Sequence, residues 1–235
     1  MQDNISVVIP TYNERESIED IINTVSQELS ALKEIIVVDD DSRDMTWQRV
    51  REFGKNNNKI ILIRRLCEKG LPQAIWEGII KAQGEIVLWL DADFLSLPLT
   101  LKKLLDNLDS HDIIVASRYV RGGQDKRRER IRVIASFLFN QLARFILGAN
   151  TKDLSSGCII ARKGIFNKIK ISGLYGEYCV RLLYQAEKKN MRIKEVPYLY
   201  LSRKKGSSKT SGSPFLFVKY GLTYILTVFK LKLLY

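Results

Sequence analysis

Glu85-Ile86-Val87-Leu88-Trp89-Leu90-Asp91-Ala92-Asp93 is the stretch on which the fold turns: an unbroken apolar run that leads directly into two carboxylates. A strand with one wet face alternates apolar and polar residues, whereas a strand covered on both faces reads as a continuous apolar run. The segment therefore predicts a doubly covered strand with acids at its carboxyl end. Comparable Ile- and Val-rich runs occur at residues 5–9, 34–38, 59–63 and 113–116. Between them Ile18, Ile21, Ile22, Val25 and Leu29, and again Leu101, Leu104, Leu105 and Leu108, follow helical spacing. The alternation predicts an α/β fold, a doubly wound, mostly parallel, Rossmann-like sheet with right-handed crossovers.

Ligands of such sheets bind beyond the carboxyl ends of the strands. Four polar clusters fall there: Pro10-Thr11-Tyr12-Asn13-Glu14, Asp39-Asp40-Asp41-Ser42, Asp91-Ala92-Asp93 and Ser117-Arg118-Tyr119. Asp91 and Asp93, two positions apart after a strand, project to one side and can hold a hard divalent cation. Oxygen-only ligands favour Mg²⁺ or Mn²⁺. The run of three aspartates repels itself unless hydrogen bonds or cations compensate. Asp39 is placed to accept from a ribose or a base, while Asp40, Asp41 and Ser42 suit either ligand contact or helix N-capping.

The 235 residues suit one domain, or one domain with an appendage. The net charge of +12 is uneven: residues 1–118 hold 14 Lys+Arg against 20 Asp+Glu, and residues 119–235 hold 24 against 6. The second half is thus suited to an anionic partner, whether nucleic acid, a membrane surface or a phosphorylated substrate. No dinucleotide-type glycine motif or phosphate-loop lysine is present, and His111 stands alone in a polar turn, which argues against histidine-dependent nucleophilic catalysis. Cys67, Cys158 and Cys179 lack metal-ligand spacing and read as unpaired thiols of a reducing compartment. The polar start followed by a short apolar run is unlike a signal peptide.

Beyond residue 119 the pattern changes. Gly122-Gly123 and the charged run 125–132 read as a mobile basic loop. An amphipathic helix then ends near Gly148, strands return at 158–161 and 193–200 around a helix at 177–189, and a Lys/Ser/Gly loop spans 202–213. Residues 215–235 hold 15 apolar or aromatic residues, but their uncharged stretch, 220–229, is ten residues long. That covers ~15 Å of helix, about half a hydrocarbon core, and suits interfacial contact or packing on the domain better than a span.

Taken in order, Val7-Val8-Ile9-Pro10-Thr11-Tyr12-Asn13-Glu14, Ile36-Val37-Val38-Asp39-Asp40-Asp41-Ser42 and Leu90-Asp91-Ala92-Asp93 resemble family 2 glycosyltransferases of the GT-A fold. Ser117-Arg118-Tyr119-Val120-Arg121-Gly122-Gly123, Asp153-x-x-Ser156-Gly157, Glu195-Val196-Pro197 and Arg203-x-x-Gly206-x-Ser208-Lys209 are similar to its dolichol-phosphate mannose synthase branch. The resemblance implies that Pro10, Tyr12, Glu14, Val37 and Asp39 line a nucleotide pocket. It further implies that Asp91 and Asp93, with Ala92 beside them, hold Mg²⁺ or Mn²⁺ on the diphosphate. Arg118, Arg132 and Arg203 would bind acceptor and donor phosphates, aided by Ser136, Lys209 and Ser208. Residues 1–210 would form the catalytic domain, including the amphipathic segment 131–148, and residues 211–235 a membrane-associated segment.

The implied reaction moves mannose from GDP-mannose to a dolichyl or polyprenyl phosphate on the cytoplasmic membrane face, the enzyme being peripheral or monotopic. Two departures stand out: Leu95 replaces a common Gln, and Arg181 an acidic residue, which leaves Glu177 as the acidic candidate near the acceptor. A UDP-sugar donor with a polyprenyl-phosphate or hydroxyl acceptor is the neighbouring alternative, with Glu177 as base for a hydroxyl. A basic nucleic-acid-binding protein is the alternative from another class, though no helix-turn-helix, RNA-recognition or zinc pattern is present.

Overall fold

The computed structural model describes residues 4–92, 97–201 and 214–235. Five strands, β1 (Ile5–Thr11), β2 (Leu32–Asp39), β3 (Ile60–Arg64), β4 (Ile86–Trp89) and β5 (Ile113–Ser117), form where the apolar runs predict them. Further along come β6 (Gln124–Lys126), β7 (Ile159–Arg162), β8 (Ile193–Pro197) and β9 (Leu199–Leu201). The main sheet has seven strands in the order β3-β2-β1-β4-β7-β5-β8, and β6 pairs with β9 in a small second sheet. Every pairing in the main sheet is parallel except those of β7, which runs antiparallel between β4 and β5.

Side-chain alternation divides the buried residues between the two faces. Val7, Ile9, Ile35, Val37, Leu88, Leu90 and Ile160 pack with Ile18, Ile22 and Val25 of α1 (Ile18–Glu28), Val50 of α2 (Thr46–Phe53) and Leu101 and Leu104 of α4 (Leu97–Leu105). Val8, Ile36, Val38, Val87, Trp89 and Ile159 pack with Ile75 and Ile79 of α3 (Leu71–Lys81) and with residues of α5 (Arg130–Leu147), α6 (Tyr178–Lys188) and α7 (Pro214–Leu234). Both faces are dry, hence the unbroken runs. Gly78 lets α3 lie against the sheet, because a Cβ there would overlap Val8.

Three expectations are corrected. The segment 193–200 is two strands in two sheets, parted at the buried Tyr198, whose amide donates to the Ser117 carbonyl. The charged run after Gly123 is not a loose loop throughout. β6 lies within it, and the Asp125 side chain, only 2% exposed, pairs with Arg127 and Arg118. The aspartate run caps no helix either. The residue before α2 is Met45, and Asp44, outside the run, accepts from the Thr46 amide.

Helix α7 packs on α5 and α6 through Thr227, Val228 and Leu231, while Leu222, Leu226, Phe229 and Leu233 remain exposed. On α5, Ile131, Ile134, Phe137, Leu138, Leu142 and Phe145 are exposed as well. The two helices thus share a broad apolar outer surface. Among the described residues no helix is long and apolar enough to cross a membrane.

Candidate active site

Register brings the polar clusters together. Thr11 lies beside Asp39 and Asp39 beside Arg64, while Trp89 pairs with Val8 on one side and with Ile159 on the other. The carboxyl ends of β1, β2, β3 and β4 therefore meet the start of β7 along one edge of the sheet. Each aspartate of the run has its own counter-group there. Asp39, fully buried, accepts from the hydroxyls of Thr11 at 2.9 Å and Ser42 at 2.6 Å and from the Ser42 amide at 2.8 Å. Asp40 takes Arg65 at 2.6 Å and the Gly70 amide at 2.7 Å. Burial nevertheless pushes its carboxyl above the usual range, against the opposing effect of those two donors. Asp41 holds Arg64 and Lys69, whose hydrogen bonds keep its carboxyl below the ordinary value.

Asp39 thus organises this wall of the edge from within. The same wall is closed by hydrogen bonds from loop to loop. The Asn13 amide donates to Ser42 Oγ, the Glu14 amide to Thr46 Oγ1, and the Arg43 amide to Asn13 Oδ1. Glu14 is buried and Tyr12 partly exposed. Pro10 and Val37 lie inside the packed sheet, Val37 with no exposure at all, and Ala92, past the end of β4, is buried. Mid-strand alternation points the Val37 side chain into the core. Asp93, Leu95, Arg203, Ser208 and Lys209 lie outside the described residues.

Asp91, at the end of β4, is partly exposed. Gly157, two residues before β7, leaves the space that this carboxylate occupies, because a Cβ there would overlap Asp91 Oδ2 and stand 3.1 Å from its Cγ. A carboxylate kept clear by a glycine at the ligand edge fits a hard cation as one oxygen donor.

On the other flank, Arg118 has a different occupation from the one expected. Its Nε and Nη2 form a fork on Asp153 at 2.9 and 2.8 Å, Nη2 also donates to Ser155 Oγ at 2.7 Å, and Nη1 lies 3.4 Å from Asp125. Burial alone would depress the Arg118 pKa, but attraction to Asp153 outweighs it and holds the guanidinium charged, and Asp153 is correspondingly lowered despite its own burial. Arg118 therefore braces the site and does not present an open fork. Glu195 supports the same loop by accepting from the amides of Lys152 and Asp153.

Asn140, unflagged by the sequence reading, completes the brace by donating to Ser155 Oγ and accepting from the Leu154 amide. Its signal was a buried-face amide, beside Gln141, within eleven uncharged residues of α5. Ser136 accepts from the Tyr119 hydroxyl at 2.9 Å, and Arg132 sits one helical turn earlier, partly buried. Glu177 is 2% exposed and accepts from the Leu174 and Tyr175 amides. It ties a loop, which corrects its assignment as a base. Of the three thiols, Cys158, immediately before β7, and Cys179 are buried, and Cys67, in the loop after β3, is exposed.

Comparison with known proteins agrees with this architecture. Residues 6–170 match the glycosyl transferase family 2 profile. A dolichol-phosphate mannosyltransferase of Pyrococcus furiosus is 33% identical over 88% of this chain and 59% of its own length, so the chain spans about three-fifths of that relative. A polyprenol monophosphomannose synthase of Mycolicibacterium smegmatis is 32% identical over 88% of this chain and 81% of its own. Among solved structures, glucosyl-3-phosphoglycerate synthase from Mycobacterium tuberculosis, with Mg²⁺ and UDP, superposes with a TM-score of 0.73 at 19% identity over 97% of this chain and 79% of that one. That likeness fixes the GT-A architecture. The ordered motifs, the sheet that carries them and these relatives together establish that the chain belongs to glycosyl transferase family 2 and is a glycosyltransferase.

Proposed function

We propose that the chain transfers mannose from GDP-mannose to a polyprenyl monophosphate at the cytoplasmic face of a membrane, with inversion at the anomeric carbon. The observation that carries this reading is the similarity, at 33% and 32% identity over 88% of the chain, to relatives named for mannosyl transfer to dolichol phosphate and polyprenol phosphate. The exposed apolar surface of α5 and α7 beside the basic second half supports a lipid acceptor. Asp91 and Asp93 would hold Mg²⁺ or Mn²⁺, which neutralises charge on a departing diphosphate when bound.

The residues of the chain then have a limited task. A phosphate monoester, with its second pKa at about 6, is largely ionised near neutral pH, so the attacking oxygen requires no general base. Its new bond to the anomeric carbon forms as the bond to the nucleoside diphosphate breaks on the opposite side. Arg132 and Ser136 on α5, with Arg203, would orient the two anions, while the Arg118–Asp153–Asn140 brace sets the position of α5 against the sheet. Glu177, engaged with two backbone amides, is unsuited to activating a sugar hydroxyl, which weighs against that acceptor.

The test incubates the protein with GDP-mannose or UDP-glucose, Mg²⁺ or Mn²⁺, and a short polyprenyl phosphate, and looks for a mannosyl lipid. Product from GDP-mannose that disappears in Asp91→Ala is expected. Transfer only from UDP-glucose, or only to a sugar hydroxyl, would overturn the assignment.

A further inference from the structure

Asp91 stands just past the end of β4. Trp89 pairs with Val8 and Ile159 on its two sides, the Leu90 amide reaches the Val8 carbonyl at 3.3 Å, and the strand pairing stops there. The direction of the carboxylate is therefore set by how residues 89 and 90 are held. They point to opposite faces of the sheet. Leu90 joins the core beneath α1 and α4, and Trp89 the core beneath α3 and α6, neither with any exposure.

The two holds differ in kind. Leu90 is kept by apolar packing, which has no direction. Trp89 carries an indole N–H, and in this apolar core it donates to the Tyr178 hydroxyl at 3.1 Å. A buried donor needs its acceptor, and the bond fixes the rotation of the ring as packing alone does not. Phe166 adds an edge contact to the same indole, with ring centroids 6.0 Å apart.

Tyr178 is itself firmly placed. It is the first residue of α6 and only 3% exposed. Glu177 ties the turn before it by accepting from the Leu174 and Tyr175 amides. The Tyr175 ring stacks on Tyr220 of α7 at 4.2 Å, and Gly176 lies so close to α7 that a Cβ there would overlap the Tyr224 hydroxyl. Burial first, then the neighbouring Cys179 and Asp91, hold the Tyr178 hydroxyl well above its ordinary pKa, so it remains neutral.

We propose that Tyr178 is a positioning residue for Asp91: its hydroxyl orients Trp89, and Trp89 sets the strand end from which the carboxylate meets the cation. The proposal rests on the reading of Asp91 as a metal-holding carboxylate. Tyr178 touches no substrate in this role, and it acts whichever sugar is transferred.

The test titrates Mn²⁺ calorimetrically into the full chain in the presence of GDP and, separately, measures turnover with GDP-mannose and a short polyprenyl phosphate. Tyr178→Phe removes the hydroxyl and keeps the ring. Groups that orient a metal ligand are worth about ten- to a hundredfold in affinity or rate, and one acting through a further residue belongs at the lower end. Mn²⁺ affinity and kcat should each fall about tenfold in Tyr178→Phe, with KM for the polyprenyl phosphate unchanged. Trp89→Phe removes the donor instead and should cost the same. The double variant Trp89→Phe/Tyr178→Phe should fall no further than the worse single variant, since all three lose one shared bond. Tyr184→Phe, which deletes another buried tyrosine hydroxyl from α6, should behave as wild type.

Wild-type Mn²⁺ affinity and kcat in Tyr178→Phe would overturn the proposal. So would losses that multiply in the double variant, or an equal loss in Tyr184→Phe, which would mark a general loosening of α6. Asp91→Ala separates the proposal from the reading beneath it. Wild-type Mn²⁺ affinity in Asp91→Ala removes both, whereas lost Mn²⁺ binding there beside wild-type affinity in Tyr178→Phe removes the positioning role alone.

Discussion

Replacing Gly157 by alanine tests whether Asp91 is at the chemistry. The added Cβ would overlap Asp91 Oδ2 and stand 3.1 Å from Cγ, where real Cβ contacts stay beyond 3.0 Å, so the carboxylate must withdraw by roughly 0.6–1 Å. Gly157 does not occupy the left-handed region, so its backbone accepts alanine, and stability should change by no more than about 1 kcal/mol. A displacement of about 1 Å in a positioned catalytic group can lower a rate ~10²-fold, equivalent to ~2.7 kcal/mol in the barrier. Turnover with nucleotide sugar and polyprenyl phosphate, beside calorimetric Mn²⁺ titration in the presence of the nucleoside diphosphate, should show both the rate and the metal affinity falling. Gly164→Ala, where an added Cβ meets nothing within 4 Å, serves as the control and should behave as wild type. Wild-type turnover and Mn²⁺ affinity in Gly157→Ala would refute the placement of Asp91 at the reaction.

Three further outcomes are expected. Breaking the buried fork by Asp153→Asn or Arg118→Met should destabilise the protein by about 3–5 kcal/mol in denaturant unfolding, since either change strands a buried partner. Asp112, whose carboxyl is held low by the Arg192 side chain and then by the Arg192 amide, contributes stability that is complete above the ordinary carboxylate range and is lost as pH falls through its lowered folded value. The gap in melting temperature between wild type and Asp112→Asn should accordingly close on acidification below about pH 4, and a gap that widens there would contradict this sign. Alkylation followed by mass spectrometry should label Cys67 alone in the native protein and all three cysteines after unfolding, because burial raises the Cys158 and Cys179 thiols and shields them.

The strands were legible because a sheet covered on both faces leaves runs of Ile and Val with no polar interruption. The direction of β7 was not, since residues 159–161 would read the same in either orientation. The site was legible where chemistry sits at a strand end, as at Asp91, and obscure where a residue's partner comes from elsewhere in the chain. Nothing near Asp39-Asp40-Asp41 in sequence announces that Arg64, Arg65 and Lys69, from the end of β3 and the loop after it, neutralise the second and third of them. The resemblance places Arg118 on phosphate, but its partner Asp153 is 35 positions away and leaves no mark beside it in the sequence.

The antiparallel β7 also bears on how the chain assembles. Its partner β4 ends seventy residues before it begins, so during synthesis the first four strands emerge with one margin of β4 unpaired. An uncovered apolar margin invites pairing with another chain, and distant pairings form slowly. Fragments ending before residue 159 should therefore clump instead of folding, and the nascent enzyme would depend on a chaperone until its central seam is sewn shut.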